Sequence, residues 1–267
     1  MFVEIGIDIR HLLESIAYNV EKTQTVYLLG IVQFNTTLVR VKHLLEKDKG
    51  FHNVKIPMTR PRAAGEVLGC TSPVISPASA PGDGLDQSKT GEIVIFIGDG
   101  RFHIESCMIR NPHLTFYQYD PFKQHLTHEV YTTEEMKKIR REQIEIAKDG
   151  KLFGIILGTL GRQGNTAVLE QIQNLFKRHN KKHFVMFLSE IMPDKLARFK
   201  RVDAWVQIAC PRLSIDWGHH FEKPLLSTFE AFAMLEEAKF PTKADEQYPM
   251  DFYSDEGGPW TNYWKRN

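Results

Sequence analysis

Ala204-Trp205-Val206-Gln207-Ile208 followed by Ala209-Cys210-Pro211-Arg212-Leu213-Ser214-Ile215-Asp216-Trp217-Gly218 is the stretch on which the reading of the fold turns. Its first five residues read as a short, fully buried strand. A thiol that emerges at the end of such a strand, is followed at once by Pro, and is flanked by Arg and Asp occupies the place where α/β proteins put their chemistry. A second cysteine has a similar setting in Gly65-Glu66-Val67-Leu68-Gly69-Cys70-Thr71-Ser72-Pro73. Thiolates presented from separate loops can hold an iron–sulfur cluster or a metal once a fold brings them together. The competing reading is a buried free cysteine at each position.

Outward from this stretch, helix and strand patterns alternate. Helical spacing covers His11–Asn19, Thr36–Asp48, Ile104–Ile109, Thr133–Lys148, Thr166–Arg178, Asp194–Phe199 and Thr228–Ala238. Apolar runs of strand length cover Phe2–Ile7, Thr25–Phe34, Val54–Met58, Glu92–Ile97, Thr115–Tyr119, Phe153–Leu157 and His183–Leu188. Strands alternating with helices at this spacing indicate parallel βαβ units. The fold class is therefore α/β, with repeated small parallel-sheet domains and flanking helices. Residues 21–150 and 151–240 are read as two such domains, carrying Cys70 and Cys210 respectively. Residues 1–20 are a remnant and linker helix, and residues 241–267 an aromatic tail that packs against the body.

Composition narrows the function classes. The chain has 267 residues, 42% hydrophobic and 25% charged, with a net charge of +1. Those totals describe a globular protein and give no case for a nucleic-acid or membrane partner. No run approaches ~18 apolar residues, so no span is predicted. Three cysteines make no disulfide framework and point to a reducing, cytoplasmic setting.

Several turns are candidates for ligand contact. Gly158-Thr159-Leu160-Gly161-Arg162-Gln163-Gly164 lies between a strand and a helix, the place of an anion-binding turn, though it is neither a GxGxxG nor a P-loop. It reads either as a small-ligand loop, with Arg162 for a carboxylate and Gln163 for a polar head group, or as a plain tight turn. Ser189 lies at another strand end, and Arg212 beside Cys210. Asp99 and His103 in Gly98-Asp99-Gly100-Arg101-Phe102-His103 form either an acid–base pair or a helix start. Cys107 falls in a short apolar helix and reads as core. No HExxH pair and no GxSxG elbow occurs.

Six of these segments resemble one family, the catalytic subunit of 2-(3-amino-3-carboxypropyl)histidine synthase in diphthamide biosynthesis. They are LGCTSP at 68–73, GDGRFH at 98–103, LGTLGRQG at 157–164, LSEI at 188–191, ACPRLSIDWG at 209–218 and YPMDFY at 248–253. The resemblance implies a noncanonical radical S-adenosylmethionine enzyme of three similar α/β domains in pseudo-threefold arrangement, each giving one cysteine to a 4Fe–4S cluster. It implies transfer of a 3-amino-3-carboxypropyl group from S-adenosylmethionine to a histidine of elongation factor 2. By motif, Cys70 and Cys210 are the second- and third-domain ligands. Gly161, Arg162, Gln163, Ser189 and Arg212 are the candidates for the cofactor. The partners it implies are elongation factor 2, a sister subunit and an electron-donor protein.

The sequence also departs from the family. The first-domain motif, resembling YGACCVDD, has no counterpart, so the expectation is a chain lacking most of that domain and one cluster ligand. Two other functions compete: a noncatalytic or inactive member of the same complex, and a metal-independent α/β small-molecule transferase.

Overall fold

The computed structural model describes residues 5–60, 62–76, 91–161, 163–251, 253 and 257–262. It confirms the α/β class, with parallel sheets and flanking helices arranged in two compact units, Met1–Tyr131 and Thr132–Asn267.

The first unit runs α1 (Ile9–Asn19), β1 (Thr25–Gly30), α2 (Asn35–Asp48), β2 (Val54–Lys55), β3 (Glu92–Ile97), α3 (Phe102–Arg110), β4 (Thr115–Asp120) and β5 (His125–Glu129). Its sheet has the order β2-β1-β3-β4-β5, parallel except for the antiparallel β4–β5 pair. The two central strands read as continuous apolar runs because both of their faces are covered. Val26, Leu28, Ile93, Ile95 and Ile97 pack with Leu12, Ile16, Leu38, Val41 and Leu45 of α1 and α2. The alternate residues Tyr27, Leu29, Val94 and Phe96 pack with Ile104, Cys107 and Met108 of α3.

The second unit runs α4 (Thr133–Lys148), β6 (Leu152–Gly158), α5 (Thr166–Arg178), β7 (Lys182–Leu188), α6 (Pro193–Leu196), β8 (Ala204–Ile208), α7 (Pro211–Trp217), β9 (Leu225–Leu226) and α8 (Thr228–Met234). Its sheet is parallel throughout, in the order β7-β6-β8-β9. The units thus share one plan: a leading helix, a central first strand, the second strand on one side and the third on the other. This common strand order places a topological switch point between β1 and β3 and another between β6 and β8, where open α/β sheets bind ligands.

The packing boundaries differ from those read in the sequence. Helix α1 belongs to the first unit's core through Leu12, Leu13 and Ile16, rather than to a separate linker segment. Helix α4 packs on α8 and β9, so it opens the second unit. The aromatic tail joins that unit too: Tyr248 is buried, and Phe229 meets both Tyr248 and Trp260 edge-on.

Of the run read as a strand over Phe2–Ile7, Met1–Glu4 lie outside the described residues, and Ile5–Asp8 form no strand. Ile5 and Ile7 instead pack as partly buried side chains on the first core, which explains their apolar character. The strand read over Thr25–Phe34 stops at Gly30, because its neighbour β3 stops at the paired residue Ile97. The helix read to Ala238 ends at Met234, where Glu236 takes the left-handed φ of 61°. Among the described residues, no helix is long and apolar enough to cross a membrane.

One buried ion pair ties the second unit together. Arg140 of α4 donates from Nε to Glu230 Oε1 at 2.6 Å and from Nη2 to Glu230 Oε2 at 2.7 Å, with both side chains fully buried. Its remaining donors reach the carbonyls of Ser214 at 2.7 Å and Leu225 at 2.8 Å. Burial disfavours the charged guanidinium, but the Glu230 carboxylate more than offsets this and holds its pKa above the usual value. Removing one partner strands the other charge in the core. Arg140→Ala is accordingly expected to destabilise this unit by about 3–5 kcal/mol, measured by urea denaturation. Arg140→Met combined with Glu230→Leu should recover part of that loss, since no charge is then left buried alone.

Candidate functional site

The candidate residues lie on loops that follow strand ends, and each loop is held by side chains from outside it. In the first unit, the segment after β2 returns across the end of β1: Gly30 N donates to Gly65 O at 2.9 Å and Val67 N to Gly30 O at 3.0 Å. Gly65 sits at φ +77°, and a Cβ there would meet Leu38 at 2.4 Å, so glycine is required. Leu68 and Thr71 then bridge each other, leaving Gly69 and Cys70 as the two residues of a tight turn.

That turn is seated on α3. A Cβ on Gly69 would fall 1.8 Å from the Phe102 ring, so Phe102 of the GDGRFH segment packs directly on the glycine of LGCTSP. Buried Ser72 donates to Ser106 O at 3.0 Å. Buried Asn111 accepts from Ile75 N at 2.7 Å and donates to Pro73 O at 2.9 Å and Cys107 O at 3.0 Å. Gln118 of β4 donates to both Gly98 O and Gly100 O at 2.9 Å, fixing the turn that starts α3. Asp99 is exposed there, and the N-cap position of α3 is taken by Arg101 with no side-chain cap bond, so Asp99 is not the cap of this helix. His103 stacks edge-on with Phe102.

In the second unit, the loops after β6, β7 and β8 leave the same edge of the sheet. Gly158 is in register with Leu188, and Thr159 N donates to Leu188 O at 2.9 Å, which places Ser189 beside the start of the glycine-rich loop. Gly161 is exposed at φ +63° with open space at its Cβ position. Gln163 is half-buried, and Arg162 lies outside the described residues. Gly164 has no room for a side chain, since a Cβ would lie 2.1 Å from Gly158 O. Asn165 caps α5, its Oδ1 accepting from Ala167 N at 2.8 Å and Val168 N at 3.4 Å.

Cys210 follows β8 after Ala209 and is the N-cap residue of α7, whose first residue is Pro211. Gln207 Nε2 donates to Cys210 O and to Ser214 Oγ, each at 3.0 Å. Arg140 holds Ser214 O from the far side of α7, and a Cβ on Gly218 would lie 2.4 Å from Arg140 Nη1. Arg212 is turned inward, its side chain 4% exposed, with Nε donating to both Asp216 oxygens at 2.9 Å.

The three cysteines separate by environment. Cys70 and Cys210 are half-buried on strand-end loops, whereas Cys107 is fully buried in α3. Burial pushes the Cys107 thiol far above its ordinary pKa, against the smaller opposing effect of a hydrogen bond with Ser72. The core reading of Cys107 therefore holds. Sequence reading missed Gln207 and Arg140, whose hydrogen bonds reach Cys210 O and the backbone and side chain of Ser214. Gln207 was visible as one polar residue in an apolar strand, but Arg140 is not distinguishable in Lys137-Lys138-Ile139-Arg140-Arg141.

Residues 1–247 match the family model described as putative diphthamide synthesis protein. The chain is 46% identical over 265 residues to 2-(3-amino-3-carboxypropyl)histidine synthase subunit 1 of Dictyostelium discoideum, covering 99% of this chain and 54% of that protein. It is 44% identical over 263 residues to the subunit of the same name in Caenorhabditis elegans, covering 98% and 63%. The chain thus spans little more than half the length of these relatives. Dph2 from Pyrococcus horikoshii, in a crystal structure with a 4Fe–4S cluster, superposes with a TM-score of 0.67 at 25% identity, covering 95% of this chain and 69% of that one.

Alkylation with iodoacetamide under native conditions should modify Cys70 and Cys210 and leave Cys107 untouched until denaturant is added, read by peptide mass spectrometry. Native modification of Cys107 at the rate of the other two would contradict its burial.

Proposed function

This chain belongs to the family of putative diphthamide synthesis proteins, and on that premise we propose that it acts in the first step of diphthamide biosynthesis. The reaction is the iron–sulfur-dependent transfer of a 3-amino-3-carboxypropyl group from S-adenosylmethionine to a histidine of elongation factor 2. The observation that supports this reading is the sorting of the thiols. The two cysteines in family-like motifs are half-buried on clamped strand-end loops, and the third is sealed in the core.

Cys70 and Cys210 fit a 4Fe–4S cluster in chemical type and in accessibility, since ligand thiols must lose a proton and meet iron. Two thiolates serve two iron corners. Among the described residues no group of three or more His, Cys, Asp or Glu side chains is gathered for a metal. When bound and reduced, such a cluster supplies the electron that breaks the bond from sulfur to the methionine γ-carbon.

The chain's other residues bind and orient. The loop after β6, with Gly161, Arg162 and Gln163, and Ser189 beside its start, suit the amino-acid end of S-adenosylmethionine. A guanidinium fork pairs with its carboxylate, and strand-end amides assist. Arg212 ranks behind these, because its Nε is committed to Asp216. A sister subunit, an electron-donor protein and elongation factor 2 complete the reaction, in the cytoplasm.

Anaerobic reconstitution followed by iron and sulfide analysis tests the metal reading. The parent chain is expected to take up iron, Cys70→Ser and Cys210→Ser to lose most of it, and Cys107→Ala to retain it. A colourless, iron-free parent would refute the reading, as would equal losses in all three variants. Arg162→Ala should weaken binding of S-adenosylmethionine by roughly tenfold or more in calorimetry, the scale of a lost charge-assisted hydrogen bond; an unchanged affinity would remove Arg162 from the site.

A further inference from the structure

Strand β8 contains one polar side chain. Ala204, Trp205, Val206 and Ile208 are buried and apolar, and Gln207 among them is only 1% exposed. Its Nε2 spends both hydrogens on the segment that follows, on Cys210 O and Ser214 Oγ. Its Oε1 is buried with no hydrogen-bond partner among the described residues. A buried amide oxygen left unpaired is destabilising, and a leucine would occupy this space without that cost. The glutamine is therefore not explained by the stability of the strand.

What it does achieve is local. Cys210 O accepts from Leu213 N at 3.0 Å, the bond that closes the first turn of α7, and also from Gln207 Nε2. Both lone pairs of that carbonyl are fixed, one by the helix and one by the strand. The amide orientation follows, because only its NH2 end can face a carbonyl. Cys210 has extended angles, φ −70° and ψ 121°, and its thiol does not cap α7. Pro211 already disfavours the helical region for Cys210, and the carbonyl held from two sides fixes the tilt of the Cys210–Pro211 peptide plane and with it the direction of the Cα–Cβ bond.

We infer that Gln207 is a positioning residue for Cys210, aiming the thiol by holding its main-chain carbonyl. The inference rests on the reading of Cys210 as an iron ligand, and its role toward a cluster is that of an outer partner that orients a ligand.

The test uses the full chain, metal-free and metal-loaded. Gln207→Leu and the more flexible Gln207→Met remove both N–H donors while keeping side-chain volume. Ser214→Ala removes the other acceptor of the same amide but leaves the bond to Cys210 O. In the metal-free chain, Gln207→Leu and Gln207→Met should change the native alkylation rate of Cys210 about fivefold, the scale of one ordinary hydrogen bond. Cys70 serves as the unchanged internal reference. Ser214→Ala should leave the Cys210 rate within about twofold of the parent. In the reconstituted chain, the two Gln207 variants should shift the cluster's electron paramagnetic resonance signal, and Ser214→Ala should not. If Gln207→Leu and Ser214→Ala lower the melting temperature alike and neither alters Cys210, Gln207 is only structural and the inference falls. A parent chain that binds no iron while the Gln207 variants still alter Cys210 would refute the ligand reading and leave the positioning role standing.

Discussion

The fully buried Arg140–Glu230 pair is the constraint on which the second unit depends. A planar guanidinium making four hydrogen bonds joins α4 to α8, to α7 and to the start of β9, three elements whose bonded residues lie 74 to 90 positions further along the chain. A lysine could not replace it, because a single ammonium cannot meet a carboxylate in a fork and two carbonyls at once. Glu230 is used as fully as Arg140. It caps α8 in a reciprocal box with Ser227 and accepts from the buried Tyr248 hydroxyl. Burial, with the adjacent Glu230 carboxylate, raises the Tyr248 hydroxyl well above its ordinary pKa, so it stays a donor. Such a network costs desolvation free energy, and what it contributes is a single arrangement of the helices. Through Ser214 O the network also reaches α7, the helix whose N-cap residue is Cys210.

The first unit solves the same problem with neutral groups. Asn111, just beyond α3, accepts one backbone N–H and donates to two carbonyls, and Ser72 reaches Ser106 O. The Cys70 turn is closed by the Leu68–Thr71 backbone bonds, and its neighbours seat it on the unit. A ring on Gly69 and an amide on Pro73 replace the ladder bonds of a strand. In both units a buried polar side chain from outside the cysteine loop, Asn111 in the first and Gln207 in the second, holds backbone carbonyls in or beside it.

This explains what was legible in the sequence. The central strands Glu92–Ile97 and Ala204–Ile208 and the helices Thr133–Lys148 and Thr166–Arg178 were read to the residue, because burial on both faces or on one stripe leaves a periodic apolar signal. Strand β5 left none, since His125–Glu129 is a mostly polar edge hairpin arm, and β9 has only two residues. Helix α7 went unread because its Pro211 start looked like the end of a strand. The unit boundary at Tyr131 was hidden for another reason: α4 is mostly charged, and the Arg140 that roots it in the second core looks like its exposed neighbours. The motif cysteines were legible as residues worth attention, but the groups that shape their loops were not, because Arg140 and Asn111 act across tens of residues of chain.

The contrast among the cysteines shows why position in the fold, more than residue type, sets chemical use. Cys107 lies in α3 between the sheet and the Cys70 loop, and its backbone carbonyl takes part in the Asn111 clamp. A thiol there loses hydration in its charged form, so it remains protonated and serves packing. Cys210 lies just beyond the end of β8, and Cys70 lies in a turn of the segment that crosses the end of β1; both are half-buried. Only there can a thiolate be both held in direction by buried donors and approached by a ligand from solvent. The two requirements conflict everywhere else in an α/β unit: the core offers fixation without access, and a free surface loop offers access without fixation. A loop at a topological switch point, clamped from beneath, meets both.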